Sequence, residues 1–225
     1  MKRILWTSLL TVALNLSASA GLFTYNYSSG FQNGGIIPDG SADGWSDSRT
    51  ISGLPSNIED VNVYLTLSGG ANGDLYAYLS HNGTLVPLLN RVGTGSGNPS
   101  QQVFGFSTAG FNNVKLDDSG SLNIHDAATP ASSPTAYTPD GGSLASFTGS
   151  PNGSWTLFFS DTVGGNDPST MLGWSLEITA VPEPVNVALG VFGGGFLAVL
   201  AARSRRVRDR VRCWKARFVR WVDAV

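Results

Sequence analysis

Gly153-Ser154-Trp155-Thr156-Leu157-Phe158-Phe159-Ser160 and Gly173-Trp174-Ser175-Leu176-Glu177-Ile178-Thr179 decide the fold. In the first, Trp155, Leu157 and Phe159 alternate with Thr156, Phe158 and Ser160. In the second, Trp174, Leu176 and Ile178 alternate with Ser175, Glu177 and Thr179. A period of two gives a strand with one face in a core and the other toward solvent. Upstream, Val61, Val63, Leu65 and Leu67 repeat the pattern around Asn62, Tyr64 and Thr66. Leu75, Ala77 and Leu79 repeat it around Tyr76 and Tyr78. Asn-Gly pairs at 72–73, 82–83 and 152–153 punctuate these runs, and Asn-Gly favours the positive φ of tight turns. No long 3.6-residue period occurs between 21 and 180, so this region is read as one all-β domain, a sandwich or jelly roll. Residues 93–101 and 127–139 are rich in Gly, Ser, Thr and Pro and are read as long loops.

Charge is arranged along the chain more sharply than the net −2 of its 225 residues conveys. Residues 21–180 hold three basic residues (Arg49, Arg91 and Lys115) against thirteen acidic ones, a net −10. Residues 203–225 carry nine basic and two acidic residues, a net +7. An acidic body lacks the cations that phosphate contacts need, which excludes nucleic acid as a partner.

Both ends read as addresses. Lys2-Arg3, the apolar run 4–16 and Ala18-Ser19-Ala20 have the order of a secretory signal, residues 1–20, with the mature chain starting at Gly21. Residues 185–202 contain no charge, and Arg203, Arg205, Arg206 and Arg208 follow directly. Eighteen residues at about 1.5 Å each approach the ~30 Å hydrocarbon core, so a single transmembrane helix is expected there. The arginines place its end in the cytoplasm and the acidic body outside. Val207, Val211, Trp214, Phe218 and Trp221 then mark one face of a basic amphipathic helix over 207–225, expected to lie on the inner leaflet. The only cysteine, Cys213, is in this tail, so the body has no disulfide and no thiol nucleophile.

The chemistry available to the body is limited. His81 and His125 are its only histidines, and both read as surface polar residues. No Gly-x-Ser-x-Gly motif and no catalytic triad is found in it, so an enzyme is not expected. Glu59-Asp60 and Asp117-Asp118 are adjacent in sequence and would point to opposite faces of a strand. Asp74, Asp140, Asp161 and Asp167, in or beside loops, are the candidate ligands for a calcium ion. Tyr25, Tyr27, Phe31, Trp45, Tyr76 and Tyr78 offer flat faces for a carbohydrate, whereas Trp155 and Trp174 lie in core phase.

Val181-Pro182-Glu183-Pro184, the apolar run and the arginines at 203, 205 and 206 together resemble a PEP-CTERM sorting signal over 181–206. That resemblance implies processing by exosortase, a membrane-embedded transpeptidase of exopolysaccharide-producing bacteria. The chain departs from it by continuing about twenty residues past the arginines.

A second resemblance covers most of residues 37–180. Ile37-Pro38-Asp39, Ile58 to Val63, Gly73-Asp74-Leu75, Gly83-Thr84, Leu144 to Gly149, Gly153-Ser154-Trp155-Thr156-Leu157, Asp161 and Gly173 to Ile178 follow one another as in the P domain of subtilisin-like proprotein convertases. Ser68-Gly69-Gly70 and Ser80-His81-Asn82 depart from that family's pattern. The resemblance implies a jelly-roll β-sandwich over 37–180, with 21–36 as the N-terminal segment of the mature protein, and calcium in some members. Family members stabilise an adjoining protease domain. The expectation is therefore an all-β jelly-roll sandwich with an N-terminal signal peptide and a C-terminal transmembrane helix. It would be exported through Sec, held at the inner membrane, and passed to the cell surface or extracellular matrix. Expected partners are exosortase and extracellular polysaccharide or an envelope protein. The alternative is an accessory module for a separately encoded subtilisin-like protease.

Overall fold

The computed structural model describes residues 20–95, 103–165, 167–183, 190 and 192–205. Among the described residues, ten strands form two sheets: β1 (Gly21–Tyr27), β2 (Ser41–Ile51), β3 (Asn57–Ser68), β4 (Leu75–His81), β5 (Thr84–Asn90), β6 (Phe111–Leu116), β7 (Leu122–Asn123), β8 (Ala136–Thr138), β9 (Gly153–Asp161) and β10 (Thr170–Val181). One sheet runs β1-β10-β3-β6-β8-β7 and the other β2-β9-β4-β5. The four runs read from sequence are β3, β4, β9 and β10, each in the middle of its sheet. That position explains their clean alternation: one face of each fills the core.

The core follows from register. Trp174, Leu176 and Ile178 of β10 stand opposite Leu65, Val63 and Val61 of β3. Leu157 and Phe159 of β9 stand opposite Leu79 and Ala77 of β4. All ten of these side chains are buried, and with Trp155, Leu75, Leu88 and Leu116 they form one cluster between the sheets. The β4–β5 hairpin turns at Asn82-Gly83, with φ of 47° and 83°, as the Asn-Gly signal requires.

A polar clasp also joins the two sheets. Asp47 of β2, on an inward position, accepts 2.7 Å from Trp174 Nε1–H of β10 and 2.8 Å from Arg49 Nε–H. Arg49 in turn lies over the Tyr27 ring at 4.8 Å.

The segment 21–36 carries β1, which pairs with β10 along its whole length, and the compact unit is Ser19–Pro182. Within the expected loop 127–139, residues 136–138 form β8, which pairs in parallel with β6 and β7. Residues 96–101 of the other expected loop lie outside the described residues.

At the C-terminal end, residues 192–205 are helical. Among the described residues, no helix is long and apolar enough to cross a membrane. Of the expected span 185–202, residues 185–189 and 191 lie outside the described residues, as do most of the signal 1–20 and the tail from 206 on.

Candidate functional site

Both histidines are held by structural bonds. His81, expected on the surface, is 3% exposed. Its ring stacks on Trp155 at 3.8 Å and 3°. Its Nδ1 lies 3.0 Å from the Ser154 carbonyl and its Nε2 2.8 Å from the Ser150 carbonyl. The hairpin turn thus folds its polar ring over the core tryptophan instead of into solvent. His125 has Nδ1 2.7 Å from Asp140 Oδ2 and Nε2 2.8 Å from the Thr94 carbonyl. Burial works to lower its pKa, but the bonds to Asp140 and Thr94 and the charges of Asp140 and Asp126 outweigh it. The ring therefore stands above the ordinary histidine value, which favours imidazolium. Both nitrogens of each ring thus face protein oxygens.

The four candidate calcium ligands take different surroundings. Asp140 is committed to His125 and to the Asn90 N–H. Asp74 and Asp167 line a cleft of about 570 Å³ together with Gly69, Gly70, Phe104 and Gly105. Asp161 closes β9 opposite Leu75, the residue after Asp74. It is fully buried, and its Oδ2 has no hydrogen-bond partner. Burial, with the charges of Asp74 and Asp39, holds its carboxyl above the usual range against the N–H bonds of Val163 and Gly40. Asp39, which sequence spacing did not connect to this group, arrives from the segment before β2 and accepts from Gly165 N–H at 2.9 Å. A calcium ion needs six to eight oxygens. Among the described residues, no group of three or more His, Cys, Asp or Glu is placed to hold a metal ion.

The paired carboxylates are also accounted for. Asp117 forms an ion pair with Lys115 at 2.6 Å. Burial raises its pKa, but the bonds from Lys115 and Ser119 outweigh it and hold it below the ordinary value. Asp118 accepts from Ser143 Oγ–H and from the N–H groups of Leu144 and Ala145. On the outer face of the six-stranded sheet, Asn62 donates to Asp60 at 2.8 Å and Glu177 at 3.3 Å, and Tyr64 donates to Glu177 at 3.2 Å.

The aromatic candidates divide by face. Trp45 is buried with its Nε1–H on the Gln32 carbonyl. Tyr25, Tyr27 and Phe31 pack partly against the core. Tyr76 and Tyr78 occupy the outward positions of β4, half-buried. Phe158 stands opposite Tyr78 on β9, and their rings stack at 4.7 Å and 18°. Tyr76 meets Tyr78 edge-on at 6.4 Å. Phe158 continues the row toward β2, where Gly44 leaves it room: a Cβ there would come 2.7 Å from the ring and 2.3 Å from the Phe159 carbonyl. The hydroxyls of Ser48 and Thr156, bonded at 2.7 Å, border the same face. The outer face of the four-stranded sheet thus carries an aromatic row rimmed by hydroxyls. Sequence showed Tyr76 and Tyr78, but Phe158 joins them only through the β4–β9 register.

The sorting residues are described in part. Ala20 is exposed, Gly21 opens β1 and Val181 closes β10. Pro182 and Glu183 are half-buried, and Arg203 and Arg205 are exposed on the helix 192–205. Ala18, Pro184 and Arg206 lie outside the described residues.

No family model matches the chain. No curated protein matches it. Among solved structures, the serine protease of Aeromonas sobria in complex with the chaperone aligns with a TM-score of 0.49 and 17% identity, over 73% of this chain and 28% of that one. The serine protease of Aeromonas sobria in a second crystal structure aligns with a TM-score of 0.46 and 16% identity, over 72% and 27%. The chain spans less than a third of the length of these proteins.

Proposed function

We propose that this chain is an exported, non-catalytic binding protein of the envelope or extracellular matrix, a jelly-roll sandwich of P-domain type. Its ligand in this reading is extracellular polysaccharide, taken on the outer face of the four-stranded sheet. The observation that carries this reading is the row Tyr76, Tyr78 and Phe158 with its hydroxyl rim. Apolar ring faces stack on the C–H faces of sugars, and hydroxyls match their edges. The commitment of both histidines to carbonyls, an aspartate and a core tryptophan supports the absence of catalysis.

Export rests on the order of the terminal segments. A signal peptide cleaved after Ala20 leaves β1 whole, because that strand begins at Gly21. A PEP-CTERM segment would be cut by exosortase just past β10. Phe192, Phe196 and Leu197, at least 65% exposed on a helix that ends at arginines, support a membrane anchor before that cut. A glycan array and a pull-down on residues 21–182 test the reading. Binding to polysaccharide supports it; both blank would contradict it.

A second reading, an accessory module for a separately encoded subtilisin-like protease, is favoured by the P-domain motifs. Gly73-Asp74-Leu75 and Gly153 to Asp161 meet across the β4–β9 register. Co-purification with a protease supports that reading.

A further inference from the structure

The two sheets have four edge strands, β1, β7, β2 and β5. A sheet edge presents unpaired N–H and C=O groups, and proteins blunt it with charge, proline, bulges or brevity. Three of these edges are blunted. β2 carries Asp43, Asp47 and Arg49 and a register break between Ser41 and Trp45. β5 carries Pro87 and lies beside a register break. β7 has two residues.

β1 has none of these devices. Its sequence, Gly-Leu-Phe-Thr-Tyr-Asn-Tyr, lacks charge and proline. Its seven residues pair with β10 in one unbroken register, from Gly21↔Ala180 to Tyr27↔Trp174. Among the described residues, no strand pairs with its other side. Its inward side chains Phe23, Tyr25 and Tyr27 stay half-buried although they pack on the core. Its outward ones, Leu22, Thr24 and Asn26, are exposed.

We propose that β1 pairs antiparallel with β1 of a second copy of this chain, making one continuous sheet across a two-fold axis. The strand is complementary to itself. The register that pairs all seven residues centres on Thr24. It sets Phe23 opposite Tyr25, Gly21 opposite Tyr27 and Leu22 opposite Asn26. Odd positions then remain on the inner face of both copies, where aromatic cross-strand pairs stabilise the joint. No charge meets its own copy in this register. The carboxylate nearest on the adjoining strand, Glu177, lies opposite Thr24 on β10. Three strand spacings separate it from its counterpart, about 14 Å. That exceeds the screening length of about 8 Å at physiological ionic strength. That nearest carboxylate pair is therefore largely screened at the seam. This proposal is independent of the polysaccharide reading.

The test uses residues 21–182, which contain the complete core and no cysteine. Analytical ultracentrifugation of the wild type is expected to show dimers at micromolar concentration. Thr24→Lys places two lysines face to face on an exposed position. It is expected to weaken dimerisation roughly tenfold or more with melting temperature unchanged. Thr24→Cys, oxidised with copper phenanthroline, is expected to give a covalent dimer. Leu22→Cys alone is expected not to, whereas Leu22→Cys mixed with Asn26→Cys is. A monomeric wild type, an unweakened Thr24→Lys dimer, or equal self-crosslinking at 22 and 24 would each overturn the proposal.

Discussion

Asp161 ends β9 with one oxygen buried and without a hydrogen-bond partner, close enough to Asp74 and Asp39 for their charges to raise its pKa. A carboxyl raised above its unfolded value of about 3.9 is penalised when ionised in the folded state. The penalty is absent below about pH 3.9 and complete once pH passes the folded value. Asp161→Asn keeps an acceptor for Val163 N–H and removes the charge. Its melting temperature is expected to rise by roughly 2–4 °C at pH 7.5, about 1 kcal/mol, and to match the wild type near pH 3.5. A fall at pH 7.5 would mean that the ionised carboxylate is needed there. His125 has the opposite sign. Its folded pKa lies above about 6.5, so its ion pair with Asp140 stabilises fully below that pH and is lost as pH rises through the folded value. His125→Ala is expected to cost about 1–3 kcal/mol at pH 5.5 and less at pH 9, read by urea denaturation. A cost that grows with pH would contradict the pairing.

At the scale of elements, the central strands were legible because each shows a clean period of two. The edges were not. In β2 the inward Asp47 breaks the apolar alternation, and Gly44 offers no side chain to read. In β6, Asn112 and Asn113 interrupt the pattern, and Asn113 takes a φ of 49°. In β1, Leu22 is apolar yet outward, so both faces look mixed. The candidate sites suffered similarly. His81 looked like a turn residue because nothing local shows that Trp155 lies beneath it, 74 positions on. Sequence placed Asp74 and Asp161 in one set but could not show that Asp140 had gone to His125. The end of β10 carries its own prediction. Val181, paired with Asn57, is the last strand residue before the proline pair, so cutting there leaves the sheet intact. Mass spectrometry of the mature protein is expected to show Gly21 as the first residue and an end within residues 181–184. Peptides containing Trp214 or Trp221 in the mature protein would contradict removal of the tail.

At the scale of the whole molecule, the proposed removal of the tail would leave the near-neutral net charge to the precursor alone. Residues 21–180 without the tail carry −10, and such a body repels anionic polymers. Under the proposed function, its uncharged aromatic row would favour a neutral polysaccharide over an acidic one, and binding is expected to be insensitive to salt. The most direct measurement is co-sedimentation of residues 21–182 with matrix polysaccharide from the organism that carries the gene. The wild type is compared with the Tyr76→Ala, Tyr78→Ala double variant, after circular dichroism shows both folded. Wild-type binding that falls roughly tenfold in the variant, about 1.4 kcal/mol, is the predicted result. A wild type that does not bind, or a variant that binds equally well, would contradict the assignment of this face as the binding surface.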